Sequence, residues 1–356
     1  MTQVGIRGIG MYAPPTIRRN DWWPRDVVAS WIEQRGKLAE APPPADLGEG
    51  AIRVARASAE QARDPFLGTV ERRVLADDMT ILDMEARAAG DAIERAGVDP
   101  EDINLLLTHA VVPDYQMMNP ACPLHARLGL SPACLTMHVE ATAYTSLAQL
   151  ALGEAMIRSG AARCALLVQS SVATRLVEPT DQSSVLMGDG ATAMIVGPVA
   201  APFGMLASVH HTDGRYARSL IMSVRDHRWF DPGEVRVHVA DRDQLRDAHL
   251  QIADVCADSA RQALARAGHS IDDVAFLCVF QGTPWLQKVV YDHMHVAHLT
   301  PFSIFERFAY MSSVTIPATL FLAEQDGHLG VGDLVVVTGG GTGMTYGATV
   351  LRWGRT

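Results

Sequence analysis

Apolar positions fall along this chain in two kinds of run. In Asp91-Ala-Ile-Glu-Arg-Ala-Gly97 the apolar residues share one face of a helix, and the segment closes on a glycine, the residue that most readily takes a left-handed C-cap. After an acidic turn comes Asp102-Ile-Asn-Leu-Leu-Leu-Thr108, an apolar run too short for a helix and suited to a strand buried on both faces. The same pair recurs as Gln262-Ala-Leu-Ala-Arg-Ala-Gly268 and Asp273-Val-Ala-Phe-Leu-Cys-Val279, an offset of 171 residues from Gly97 to Gly268. Arg163-Cys-Ala-Leu-Leu-Val-Gln169 and Gly332-Asp-Leu-Val-Val-Val-Thr338 give each half a further strand. This self-similarity predicts an α/β protein of two related halves, residues 1–200 and 201–356, with mostly parallel sheets covered by helices. A ligand site is expected at their junction, where strand ends and helix N-termini from both halves converge.

Residues 37–68 contain Ala41-Pro-Pro-Pro-Ala45, a proline-rich loop, and then a helical pattern from about Glu49 to Arg63. With 356 residues and 48% hydrophobic content the chain can bury an extensive core. A formal net charge of -10 argues against a general nucleic-acid or anionic-membrane surface. Met1-Thr2-Gln3-Val4-Gly5 has no charged or apolar leader pattern, and no run approaches the ~18 apolar residues of a spanning helix, so a cytoplasmic location is expected.

The five cysteines are dispersed without CxxC spacing, which suits reduced thiols better than disulfides or a zinc site, and Cys164 and Cys278 lie in strand-like apolar runs as packing residues. His293, His295 and His298 match no strong ligand spacing, and no metal site is expected.

Several motifs resemble β-ketoacyl-ACP synthase III and its acyltransferase relatives over nearly the whole chain. They are the opening Val4-Gly-Ile-Arg-Gly-Ile-Gly-Met-Tyr-Ala-Pro14 with Asn20-Asp21, Val112-Pro-Asp-Tyr115, Asn119-Pro120, Leu128-Gly-Leu130, Gly188-Asp-Gly-Ala191 and Gly341-Thr-Gly-Met-Thr-Tyr-Gly347. The resemblance implies a thiolase-like αβαβα architecture of five layers. It also implies a coenzyme A or phosphopantetheine thioester as substrate, no tightly bound cofactor, and a backbone oxyanion hole with Thr342 or Gly343 as donor.

The catalytic set of that family is absent. His138-Val-Glu-Ala-Thr-Ala-Tyr-Thr-Ser146 occupies the strand-to-helix turn that carries the family cysteine, and the register from Ser159-Gly160 puts Ala143 there. The family histidine position falls on Phe280 within Val279-Phe-Gln-Gly-Thr283, and the asparagine position on Tyr310 within Ala309-Tyr-Met-Ser312. Alanine cannot carry an acyl group, and neither Phe280 nor Tyr310 reproduces the His-Asn pair. Tyr144 and Thr145 replace small residues of the turn and are expected to reshape the pocket.

Glu140, if buried, would have a raised pKa suited to a general base; otherwise it is a solvated or salt-bridged carboxylate. Tyr310 can donate to a substrate oxygen or simply pack with its hydroxyl satisfied. Thr142, Thr145 and Ser146 lack a histidine placed by motif to activate them and read as capping or packing hydroxyls. His210-His211 reads as structural or pocket-lining.

In Ser30-Trp-Ile-Glu-Gln-Arg35 the resemblance assigns Trp31 to stacking on the coenzyme A adenine and Arg35 to its phosphates, against a plain surface helix. The family continues within a few residues to Glu-Arg-Arg, so residues 37–68, which precede Glu71-Arg-Arg73 here, read as an insertion relative to it; this puts the inherited site in question and suggests a lid or partner surface. Two functions stay open. One is an acyltransferase or acyl-cyclising enzyme of specialised metabolism that uses acyl-CoA or acyl-carrier-protein thioesters without an acyl-cysteine. The other is a non-catalytic subunit paired with an active homologue. Family precedent implies a dimer, either with itself or with that homologue.

Overall fold

The computed structural model describes residues 2–39, 47–115 and 118–355. The first half runs β1 (Val4–Tyr12), β2 (Thr16–Arg19), α1 (Arg25–Ala39), α2 (Glu49–Gln61), β3 (Glu71–Val74), α3 (Ile81–Ala96), β4 (Leu105–Ala110), α4 (Ala121–Arg127), β5 (Leu135–His138), α5 (Thr145–Arg158), β6 (Ala165–Val172) and β7 (Asp189–Pro198). The second runs β8 (Gly204–Thr212), β9 (Ile221–Val224), β10 (Val235–His238), α6 (Arg242–Ala267), β11 (Phe276–Val279), α7 (Leu286–Met294), α8 (Phe305–Phe308), α9 (Thr315–Gln325), β12 (Leu334–Gly341) and β13 (Thr345–Arg352).

The duplicated sequence folds twice into the same unit. α3 and α6 end on Gly97 (φ 60, ψ 40) and Gly268 (φ 74, ψ 26), both left-handed caps, and lead through short 3-10 turns into β4 and β11. The apolar runs are strands buried on both faces: Leu105, Leu106 and Leu107 have no exposure, and neither have Leu277, Cys278 and Val279. One sheet has the order β1-β7-β6-β4-β5 and the other β11-β12-β13-β8. α3 covers the outer face of the first, α6 that of the second, and α5 and α9 lie between them. The result is the expected layering of helix, sheet, helix, sheet, helix.

The sheets are mixed rather than mostly parallel. β4 runs parallel to β5 and β6, and β11 parallel to β12, but β6–β7, β7–β1, β12–β13 and β13–β8 are antiparallel. No α-helix lies between β6 and β7 or between β12 and β13. A connection without a crossover helix returns the chain alongside itself, which gives an antiparallel pair.

The insertion helix α2 packs on α6 and α7. Ser58 Oγ lies 2.9 Å from His249 Nε2, and Trp285 Nε1 donates to Gln61 Oε1 at 2.7 Å. The proline run Ala41–Ala45 falls outside the described residues. Glu71-Arg-Arg73 is structural here: the fully buried Arg72 guanidinium donates to the carbonyls of Arg18 and Val185, to Asn20 Oδ1 and to Thr69 Oγ1. No described helix is long and apolar enough to cross a membrane.

Candidate functional site

At the centre, each half contributes a 3-10 turn that leads directly into a helix. A 3-10 turn Thr142–Tyr144 precedes α5, and Ser312–Val314 precedes α9. Thr142 (φ 51) and Ser312 (φ 52) open them in the left-handed region, where a non-glycine residue stores strain and persists only if its surroundings hold it. Threonines from the following helices do the holding. Thr145 Oγ1 accepts from the Ala141 N–H at 2.9 Å and donates to the Thr142 carbonyl at 2.7 Å, and Thr315 Oγ1 accepts from the Met311 N–H at 3.3 Å. Gly341, at the end of β12, abuts the first turn; a Cβ there would collide with the Thr142 hydroxyl and the Ala141 carbonyl. Thr142 Oγ1 donates to the Thr342 carbonyl at 3.4 Å, tying the turn to the last glycine loop.

Two cavities meet at these turns. One, of about 260 Å³, has walls including Val111, Leu176, Met187 and Val237, and its polar floor is His109, Glu140, Thr142, Tyr310, Ser312 and Thr342. The other, of about 240 Å³, is lined by Ala143, Phe280, Tyr310, Thr342, Gly343 and, toward α2, His249 and Trp285. Leu220, Tyr310 and Thr342 border both. The structure therefore brings Ala143, Phe280 and Tyr310 to one cavity, with Phe280 and Tyr310 edge to face at 5.6 Å between ring centroids. Thr342 and Gly343 line it as well. Burial raises the Tyr310 phenol to about 12 against the opposing hydrogen bond with Ser312, so the hydroxyl keeps its proton and is available as a donor.

Glu140 reaches the first cavity, and of its two readings the structure takes the accessible, salt-bridged carboxylate rather than the buried base with a raised pKa. Its side chain is 58% accessible. Partial loss of water pushes the carboxyl up. The hydrogen bond and charge of His109, the Thr142 N–H and the His138 ring outweigh that push and hold the carboxyl below its ordinary value. Its Oε1 accepts from the Thr142 N–H at 2.5 Å, and Oε2 lies 3.3 Å from His109 Nε2.

His109 was not identified by motif. It sits at the C-terminal end of β4, buried, with Nδ1 2.7 Å from the Oγ of fully buried Ser313, and its ring stacks on His138 at 5.8 Å. The available signal was positional: a histidine closing a buried apolar strand lies where parallel-sheet proteins place their sites.

Other expectations are corrected by burial. Tyr144 does not line either cavity. Its ring is 1% exposed and its hydroxyl lies 2.7 Å from His210 Nδ1, so it packs toward the second sheet, and that contact gives His210 a structural role. Thr145 serves the turn. Trp31 is 2% exposed, packs at 6.2 Å from Trp23, and donates its indole N–H to the Thr180 carbonyl at 2.8 Å, so it offers no open face for an adenine. The exposed indole of this region is Trp22, with the Arg18 guanidinium 3.8 Å from its ring centre. The Arg35 side chain lies outside the described residues. His293 pairs with Asp254 at 2.9 Å, and no metal-holding group of three His, Cys, Asp or Glu occurs among the described residues.

Duplicated halves, five layers and paired central turns define a thiolase-fold protein. Residues 137–214 match the family described as 3-oxoacyl-[acyl-carrier-protein (ACP)] synthase III, and residues 264–353 match its C-terminal family. The chain is 31% identical to β-ketoacyl-[acyl-carrier-protein] synthase III of Sphingopyxis alaskensis over 79% of its own length and 86% of the relative's. It is 29% identical to the Bacillus pumilus protein of that name, over 81% and 88% of the two lengths. It shares its fold with the priming β-ketosynthase from the R1128 polyketide biosynthetic pathway, with a TM-score of 0.79, 24% identity, and coverage of 100% of this chain and 98% of that one. The chain belongs to the β-ketoacyl-[acyl-carrier-protein] synthase III family of acyl-condensing enzymes.

Proposed function

We propose that the chain moves an acyl group from an acyl-CoA or acyl-carrier-protein thioester directly to an acceptor, in specialised metabolism and in the cytoplasm, with no acyl-enzyme and no resident cofactor. The observation that carries this reading is the meeting of two cavities at a turn whose nucleophile position is Ala143. Thioester and acceptor then occupy adjoining spaces, and proximity supplies acceleration that a covalent intermediate would otherwise provide. Backbone N–H groups of Thr342 and Gly343 and the Tyr310 hydroxyl are the groups assigned to the developing oxyanion. The acceptor's bond to the acyl carbon forms as the carbon–sulfur bond breaks. Its proton passes by way of Glu140 to the departing sulfur, which leaves as a thiol.

Replacement of the cysteine, histidine and asparagine together favours a second reading, a pairing subunit for an active homologue. β5 is the edge strand of the first sheet and presents Leu135, 50% exposed, and we assign the dimer contact to this edge. Thiol release from a panel of acyl-CoA and acyl-carrier thioesters, with candidate acceptors, separates the two. Release above the uncatalysed rate supports direct transfer. No release with any donor, together with copurification of an intact homologue, supports the pairing subunit.

A further inference from the structure

The first cavity is apolar on its walls and carries one accessible carboxylate, Glu140, in its polar floor, which is a poor seat for a plain hydrocarbon chain. We infer that the acceptor seated there is a small primary amine, held as its ammonium by Glu140; this rests on the direct-transfer reading above. Among the lining residues, Glu140, His109 and Tyr310 are the ionisable ones and none is a lysine or arginine; the partners the carboxylate already has are the His109 ring at 3.3 Å and the Thr142 N–H. The carboxylate is held ionised by the His109 and Thr142 contacts and stays 58% accessible. An alkyl chain laid over it would strip its remaining water without supplying donors in exchange, which is costly for a charged group. An ammonium supplies three donors and the opposite charge, while its carbon tail meets Val111, Leu176, Met187 and Val237. A hydroxyl supplies one donor and no charge.

The pair behind Glu140 fixes where that charge points. Ser313, fully buried, lies 2.7 Å from His109 Nδ1, which leaves Nε2 to face Glu140 at 3.3 Å. His109 and Ser313 are positioning residues that hold the carboxylate toward the cavity. The step balances without a further reactant. The ammonium releases one proton to solvent, which frees the nitrogen lone pair to attack the thioester carbonyl. The carbon–nitrogen bond forms, the carbon–sulfur bond breaks, and the second nitrogen proton leaves with the sulfur. The products are an amide, a thiol and the one proton given to solvent.

The test is equilibrium binding to the full chain at pH 7, without thioester, of hexylamine, hexanol and hexanoate by titration calorimetry. Hexylamine is expected to bind at least tenfold tighter than hexanol, and hexanoate weakest. Glu140→Gln is expected to lose at least tenfold for the amine and much less for hexanol, while Ser313→Ala weakens the amine and raises the pH below which its binding is lost. Should the variants fail to fold, the wild-type comparison of the three ligands decides alone. Equal binding of amine and alcohol, or tighter binding of hexanoate, overturns the inference, as does a folded Glu140→Gln chain that binds amine like the wild type. Adding an acyl thioester then separates the two readings. Glu140-dependent amine binding without amide or thiol keeps the amine site and overturns direct transfer. Thiol release to water or alcohol with no amine preference keeps direct transfer and overturns the amine.

Discussion

Glu85 shows most clearly how one buried group sets a property of the whole chain. It lies on α3, 4% exposed, with Ser170 Oγ donating to its Oε1 at 2.7 Å. Burial and the charge of Asp114, against the Ser170 hydrogen bond, raise its carboxyl to about 8. The unfolded chain releases this proton in the ordinary carboxylate range, whereas the folded chain keeps it to about 8. Stability therefore falls as pH rises through that interval, by up to about 1.4 kcal/mol per pH unit, and levels off above it. Denaturant titrations at pH 5 and pH 8 are expected to show this loss in the wild type and much less of it in Glu85→Gln; identical pH dependence in both would contradict it. Tyr310→Phe keeps the ring against Phe280 and removes the donor. It is expected to lower thiol release about tenfold, the worth of one hydrogen bond of about 1.4 kcal/mol, with little change in melting temperature. Ala143, Phe280 and Tyr310 were legible because each lies beside a recognisable motif. His109 and Ser313 were not, because 204 residues separate them and only the fold brings them within 2.7 Å.

At the scale of elements, strand and helix positions followed from the period of apolar residues and from glycine caps, and α2 begins at Glu49 as its pattern indicates. Strand direction was less legible. A run buried on both faces has the same composition whether its neighbour is parallel or antiparallel, and only the missing crossover helices before β7 and β13 decide it. The fate of Trp31 was likewise a packing outcome, settled by Trp23, Leu67 and Val185 closing around the indole. The turn before α5 provides the element-level prediction. Restoring a thiol as Ala143→Cys puts it near the N-terminal end of α5, where the helix dipole favours a thiolate. Incubation with an acyl thioester is expected to add one acyl mass to this variant. A folded variant that stays unmodified while the wild type releases thiol would place the thioester away from this turn.

For the molecule as a whole, the repeat offset of 171 residues read in the sequence, from Gly97 to Gly268, reappears as paired caps, paired strands and paired central turns. Pseudo-symmetry puts the two turns side by side, and divergence within that frame leaves an alanine in the second cavity, on the turn that borders both. The most direct measurement is intact mass spectrometry of the wild-type chain during turnover with an acyl thioester and an amine acceptor, with released thiol measured in parallel. Direct transfer predicts steady thiol release while the protein mass stays unmodified at every time point. A protein species heavier by the acyl group, formed and consumed at the rate of thiol release, would contradict it and reveal a nucleophile other than the residue at 143.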